Sequence, residues 1–277
     1  MTDYYASLAS HPDPARQVGW ESRLAQLTRF AAVAATLRPE DAVVDVGAGL
    51  GDLTRYLAHT HPRARCTGVE ARPAFVARAA CMAPPVTLTL GRLGDGLTLP
   101  EADVVVAIGA LVDGRPLTDG GTRLGRVRAM LAALLGAARR HVVAIFAAQE
   151  GLEADPLRAA DPALGGLRVN ELSWILPDSV AAQVVTDVLP SDLVVVLAKD
   201  AAELPDLPSG EALRDAARNH PMAPACPIEA LRFAILARER ARAETLLASG
   251  RRDPRLVRDP AWRLLEARYA LLSDSPQ

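Results

Sequence analysis

The chain has 277 residues, half of them apolar, which suffices for one sizeable core and an appendage. A formal net charge of −2 excludes a polycation, and the widely spaced Cys66, Cys81 and Cys226 form neither a disulfide framework nor a C-x-x-C metal signature. No apolar run reaches the ~18 residues of a membrane span and the first residues form no signal segment, so a soluble, cytoplasmic protein is expected.

Residues 1–38 precede the first strand. Pro12 and Pro14 interrupt any helix there, and from about Gly19 the residues Trp20, Leu24, Leu27, Phe30 and Val33 recur at helical spacing. Val43-Val44-Asp45-Val46 reads as a buried parallel strand entering the turn Gly47-Ala48-Gly49-Leu50-Gly51, with a helix from Asp52 to about His59. A glycine turn lets a ligand lie against bare main chain, and the N–H groups opening a helix favour an anionic or polar group. The third glycine arrives one residue too early for the G-x-G-x-x-G dinucleotide fingerprint. The next strand, 66–70, ends at Glu70, an acid placed to accept hydrogen bonds from both hydroxyls of a ribose.

A helix starting at Arg72-Pro73 buries Phe75, Val76, Ala79 and Ala80 and stops at Pro84-Pro85. Strands follow at 86–90 and 102–110. A helix over 123–139 carries Leu124, Val127, Met130, Leu131, Leu134 and Leu135 on one face. Arg123, Arg126, Arg128 and Arg139-Arg140 read as its wet face, with no interleaved aromatics to make a nucleic-acid surface. Strand five covers 141–146, residues 149–173 form a Gly-, Pro- and acid-rich insertion, and Val184-Val185 with 193–197 make a hairpin. After a linker at 205–210, helical stretches are expected at 212–218, 228–248 and 262–272. They suit docking on the main domain or a homodimer contact equally.

The Asp45–Gly51 turn with Glu70 resembles motif I and its acidic partner in class I S-adenosylmethionine-dependent methyltransferases, usually written Asp-Val-Gly-x-Gly-x-Gly. The resemblance covers residues 1–200. It implies an α/β, Rossmann-like, mostly parallel seven-stranded sheet with a terminal antiparallel hairpin, plus a helical C-terminal appendage. The corresponding domains are a helical lid (1–38), the methyltransferase domain (39–200) and the extension (201–277). It implies S-adenosylmethionine as cofactor, its methionine part over Gly47–Gly51 and its ribose on Glu70. Contacts are expected from Asp45, Gly47, Ala48, Gly49, Gly51, Glu70, Ala71, Arg92, Leu93, Ile108, Gly109 and Arg29. Trp20, Gln26 and Arg29 would line the methionine end or the substrate mouth, with Arg29 pairing with a carboxylate.

One position departs from the family. Arg92 stands where an aspartate usually accepts the adenine amino group, and arginine cannot accept a hydrogen bond. Either Asp95 substitutes, or backbone groups and stacking hold the adenine. Ile108, Gly109 and Ala110 would floor the site, and Glu150 and Trp174 would wall the acceptor pocket. The weak catalytic candidates are Asp113, which reads first as a surface carboxylate, and Trp20. His141 begins a strand and so lies at the wrong edge, and His220 belongs to the appendage. His59 and His61 lack a third ligand, so no metal is expected. Methyl transfer from a sulfonium is an in-line displacement that needs alignment rather than a protein nucleophile. A small-molecule acceptor, such as a specialised metabolite, or a short peptide is expected, without membrane or nucleic acid. The alternatives are a non-catalytic binding or scaffold protein of the same fold and a nicotinamide-dependent oxidoreductase, which the glycine spacing disfavours.

Overall fold

A computed structural model of the chain describes residues 8, 11, 13–20, 22–93, 95–111, 122–153, 166–177 and 180–273. The chain divides into two compact units, Arg29–Leu213 and the pair of segments Met1–Thr28 and Arg214–Gln277. Sequence reading placed the boundaries at 38/39 and 200/201. In the structure the two chain ends share one unit.

The central unit is built on β1 (Ala42–Val46), β2 (Arg65–Glu70), β3 (Leu88–Leu90), β4 (Ala102–Ile108), β5 (Ala138–Ala147), β6 (Ala181–Val185) and β7 (Asp192–Ala198). They form one sheet in the order β3-β2-β1-β4-β5-β7-β6. The first five strands are parallel, and β7 runs antiparallel between β5 and β6. Every residue of β7 is buried and β1, β4 and β5 are buried over most of their length, as expected of Val-rich strands covered on both faces.

In chain order the helices begin with α1 (Pro14–Gln17), α2 (Arg23–Ala34), α3 (Asp52–Thr60), α4 (Pro73–Cys81) and α5 (Arg123–Ala137). Thr122 caps α5 by accepting from the Gly125 N–H at 3.0 Å, and Val127, Leu131, Leu134 and Leu135 pack its buried face onto the sheet. The short α6 (Gln149–Glu153) and α7 (Leu172–Ile175) follow, with Leu172 and Ile175 in the same core. Phe30 meets Tyr56 edge-to-face at 5.7 Å, tying the second half of α2 to α3.

One element changes type. Arg139 and Arg140, expected on the wet face of a helix, lie on β5. Two acids of neighbouring strand ends hold them there. Arg139 Nε donates to Asp103 Oδ1 at 2.9 Å, and Arg140 pairs with buried Asp41. Arg140, Asp41 and Asp103 line a shallow cavity of about 440 Å³ with Arg38, Glu40 and Arg63. Its charges pair across it, so it is an ion-pair network at the N-terminal edge of the sheet.

The second unit contains α1, the start of α2, the end of α8 (Gly210–Asn219), and α9 (Pro227–Leu236), α10 (Arg240–Gly250), α11 (Pro254–Arg258) and α12 (Pro260–Ser273). Its core is Leu231, Ala234, Ile235, Ala243, Leu247, Trp262 and Leu265. The single helix expected over 228–248 is two helices. Arg238 takes φ 54°, the left-handed conformation that ends a helix, and the Glu239 N–H donates to the Ala234 carbonyl at 2.8 Å. No glycine marks this break in the sequence. Glu229 joins the unit's two segments. Its buried carboxylate accepts from Ser22 Oγ at 2.6 Å and from the Leu24 N–H at 3.2 Å, capping α2, while Arg232 donates to its other oxygen at 2.7 Å.

Candidate functional site

The C-terminal ends of β1, β2 and β4 release their loops at one edge of the sheet. Val46 pairs with Val69 on one side and Ala107 on the other, and the Gly47 and Ala48 N–H groups both donate to the Val69 carbonyl, at 2.8 and 3.0 Å. Gly109 N–H donates to the Ile145 carbonyl at 2.9 Å, and Gly91 N–H to that of Glu70 at 3.0 Å. From β1 the chain leads to β2 on one side, while β4 lies on the other. This reversal of strand order is where open α/β sheets bind ligands.

Gly47, Gly49 and Gly51 take φ of 80°, 57° and 77°, so the turn is left-handed at every second residue. Gly47 is exposed and Gly49 half-buried, leaving bare main chain at the surface, whereas Ala48 and Leu50 are buried. Gly51 is the N-cap of α3, and a Cβ there would lie 2.8 Å from Val86 Cγ1. Gly51→Ala therefore meets both left-handed strain and a clash with a branched side chain. It is expected to lower stability by about 1–3 kcal/mol, read as a fall in the urea midpoint at unchanged slope.

Glu70 turns into this crevice. Its Oε2 accepts from the Gly49 N–H and its Oε1 from the Arg72 N–H, both at 2.8 Å, and each oxygen keeps a lone pair for another donor. Ala71, beside it, is half-buried. Beneath the turn Asp45 is buried on β1, and burial, then the charges of Glu70 and Asp52, push its carboxyl up to about 7. Cys66 lies nearby on β2, where burial and the charge of Asp45 push its thiol up to about 12, so it brings no thiolate.

Arg55, absent from the sequence reading, locks the turn from below. It is buried, and its guanidinium donates to the carbonyls of Leu50, Pro84 and Ala79 at 2.6, 2.9 and 3.2 Å, with Asp52 at 3.9 Å. The signal was an arginine three residues after the acid that opens α3.

The other expected residues separate. Leu93 and Ile108 are buried, while Gly109, in the left-handed region, and Ala110 are exposed at the same edge. Ala110 covers one side of Gly47, where an added Cβ would meet its own at 2.5 Å. Arg92 and Asp95 are both exposed and face each other at 3.5 Å. Arg29 is buried against Asp192, Nη2 to Oδ1 at 2.6 Å, so the carboxylate it meets belongs to this chain. Trp20, half-buried, and Gln26, buried and accepting from Arg23, belong to the helical unit. Trp174 is 70% exposed on α7, Glu150 is exposed with Arg168 at 3.8 Å, and Asp113 lies outside the described residues. His141 is buried on β5, where burial and then Arg140 and Arg38 push its imidazole down to about 4, and His220 is buried in the helical unit. Among the described residues no group of His, Cys, Asp and Glu is arranged to hold a metal ion, and no helix is long and apolar enough to cross a membrane.

No protein-family model matches the chain. The trans-aconitate 2-methyltransferase of Mycobacterium tuberculosis is 44% identical over 69 residues, which are 25% of this chain and 26% of that relative. The match thus spans about a quarter of the relative's length. Among solved structures, the magnesium protoporphyrin IX methyltransferase of Synechocystis, with bound SAH, aligns with a TM-score of 0.53 at 18% identity over 71% of this chain and 93% of that one. The plantazolicin methyltransferase, also with SAH, gives 0.52 at 12% over 71% and 93%. The pyocyanin biosynthetic protein PhzM gives 0.52 at 19% over 72% and 62%. The strand order, the reversed hairpin and the glycine turn facing an acid on β2 agree with these likenesses, which show the fold. The chain has the class I S-adenosylmethionine-dependent methyltransferase fold.

Proposed function

We propose that the protein is an S-adenosylmethionine-dependent methyltransferase acting on a small molecule or a short peptide. The methionine part of the cofactor lies over Gly47–Gly51 and its ribose hydroxyls donate to Glu70. The observation that carries this reading is the Glu70 carboxylate, anchored on both oxygens by main-chain N–H groups beside exposed glycine backbone, with acceptor capacity remaining on each. Adenine then lies toward Leu93, held by backbone groups and apolar contact, because Arg92 faces solvent with Asp95. Arg29 brings no uncompensated charge to an acceptor, since Asp192 neutralises it.

Calorimetry with S-adenosylmethionine tests the placement. Glu70→Ala is expected to lose about 1–3 kcal/mol of binding free energy, the cost of leaving the sugar hydroxyls without an acceptor. Unchanged affinity would overturn it. Incubating enzyme and cofactor with a cell extract and searching by mass spectrometry for a gain of one methylene would identify the acceptor.

A further inference from the structure

We propose that Arg55 is a positioning residue of the cofactor site: its guanidinium fixes the Leu50–Gly51 peptide of the glycine turn, and with it the grip on the amino-acid part of the methyl donor. This role rests on the cofactor reading above and adds to it the group that sets the shape of the turn.

The turn is held from two sides. On the β2 side the Val69 carbonyl accepts from the Gly47 and Ala48 N–H groups, and Glu70 Oε2 accepts from that of Gly49. Those bonds reach no further than Gly49. The last peptide of the turn is fixed instead by the Gly51 N–H, which donates to the Ala48 carbonyl at 2.8 Å, and by Arg55 Nη1, which donates to the Leu50 carbonyl at 2.6 Å. Gly51, at φ 77°, has no Cβ to resist rotation of that peptide. A flip would break both bonds and turn the Leu50 carbonyl away from Arg55.

The other contacts of Arg55 anchor it outside the turn. Nη2 donates to the Ala79 carbonyl at 3.2 Å, near the end of α4, and Nε to the Pro84 carbonyl at 2.9 Å, in the connection to β3. The Val86 N–H donates to the same Ala79 carbonyl at 3.1 Å, and Val86 is the side chain that a Cβ on Gly51 would meet. The guanidinium thus braces the turn against a segment already packed on it. Arg55 is only 6% exposed, and burying a guanidinium costs free energy that the three carbonyls, with Asp52 at 3.9 Å, offset. An apolar side chain would fill the position without that cost, yet it has no donor for the Leu50 carbonyl. An arginine here therefore serves the geometry of the turn rather than packing.

The amino-acid part of the donor carries an ammonium and a carboxylate, and its place over Gly47–Gly51 depends on which main-chain groups the turn presents. The ribose rests on Glu70, whose carboxylate is held by the Gly49 and Arg72 N–H groups. Loss of Arg55 is therefore felt first at the amino-acid end.

Calorimetry on the wild type, Arg55→Met and Arg55→Lys tests this, comparing S-adenosylhomocysteine with methylthioadenosine, a thioether nucleoside that lacks the amino-acid part. Arg55→Met is expected to weaken S-adenosylhomocysteine about tenfold and methylthioadenosine less than about twofold, as loss of a turn-holding hydrogen bond implies. Arg55→Lys keeps the cation but cannot serve three carbonyls at once, and it is expected to weaken S-adenosylhomocysteine about threefold while sparing methylthioadenosine. Urea unfolding identifies the variants that are folded at the temperature used, and the lysine variant carries the test if the methionine variant does not fold. A purely structural arginine would lower both affinities together. An equal loss for the two ligands in a folded variant, or undiminished affinity for S-adenosylhomocysteine, would overturn the positioning role while leaving the cofactor reading intact. Absence of binding by both ligands to the wild type overturns both.

Discussion

Arg29→Ala is expected to destabilise the Arg29–Leu213 unit by about 3–5 kcal/mol, among the largest single-residue effects in the chain. The side chains of Arg29 and Asp192 are 7% and 2% exposed, with Nη2 and Oδ1 2.6 Å apart. Removing the guanidinium leaves a carboxylate in the interior without its cation. Little nearby takes its place, since Ser191 Oγ reaches the same oxygen only at 3.4 Å and Oδ2 accepts no hydrogen bond. Asp192 is the first residue of β7 and pairs with Ala147 at the end of β5, so the charge is stranded between two central strands. A double replacement, Arg29→Met with Asp192→Leu, is expected to recover most of the loss, because an apolar pair of similar volume carries no desolvation penalty. Urea unfolding of the three variants decides the matter, and a single-variant loss below about 1 kcal/mol would contradict the ion-pair account.

Asp45→Asn is expected to act in the opposite direction, stabilising the protein. Folding raises the Asp45 carboxyl from 3.8 to about 7, through burial first and then Glu70 and Asp52. A raised acid favours the fold fully only below its unfolded value. Stability is lost progressively as pH climbs from about 4 to about 7 and stays at its lowest above that. Asparagine removes the dependence, so the advantage of the variant grows with pH by about 3 kcal/mol between pH 5 and pH 8, in thermal or urea unfolding without ligand. A constant difference across that range would count against the buried charge.

The sheet and the glycine turn were legible in the sequence because each had a local signature. Val-rich runs marked the central strands, and Gly47, Gly49 and Gly51 needed conformations that few other residues adopt. The place of Glu70 at the end of β2 was legible from the strand pattern and its distance from the turn. What escaped depends on partners remote in the chain. Arg139 and Arg140 look helical beside the apolar face of α5, until Asp103 and Asp41 draw them into β5. Arg29 looked like a ligand for an incoming carboxylate, and nothing near it announces Asp192. Arg238 ends α9 in a left-handed turn without a glycine, so a single helix was read through it. Arg55 went unnoticed because its three acceptors are main-chain carbonyls, which leave no trace in a sequence.

The Ser22–Glu229 contact links residues 207 positions apart. At ribosomal rates of roughly 5–20 residues per second, the earlier residue emerges some tens of seconds before its partner exists. The segment that carries Ser22 must therefore pass synthesis without its own packing, while the strands of the sheet are already available to pair. A shortened version ending near residue 213 would leave that segment permanently without Glu229, so trimming one end of this protein edits the other.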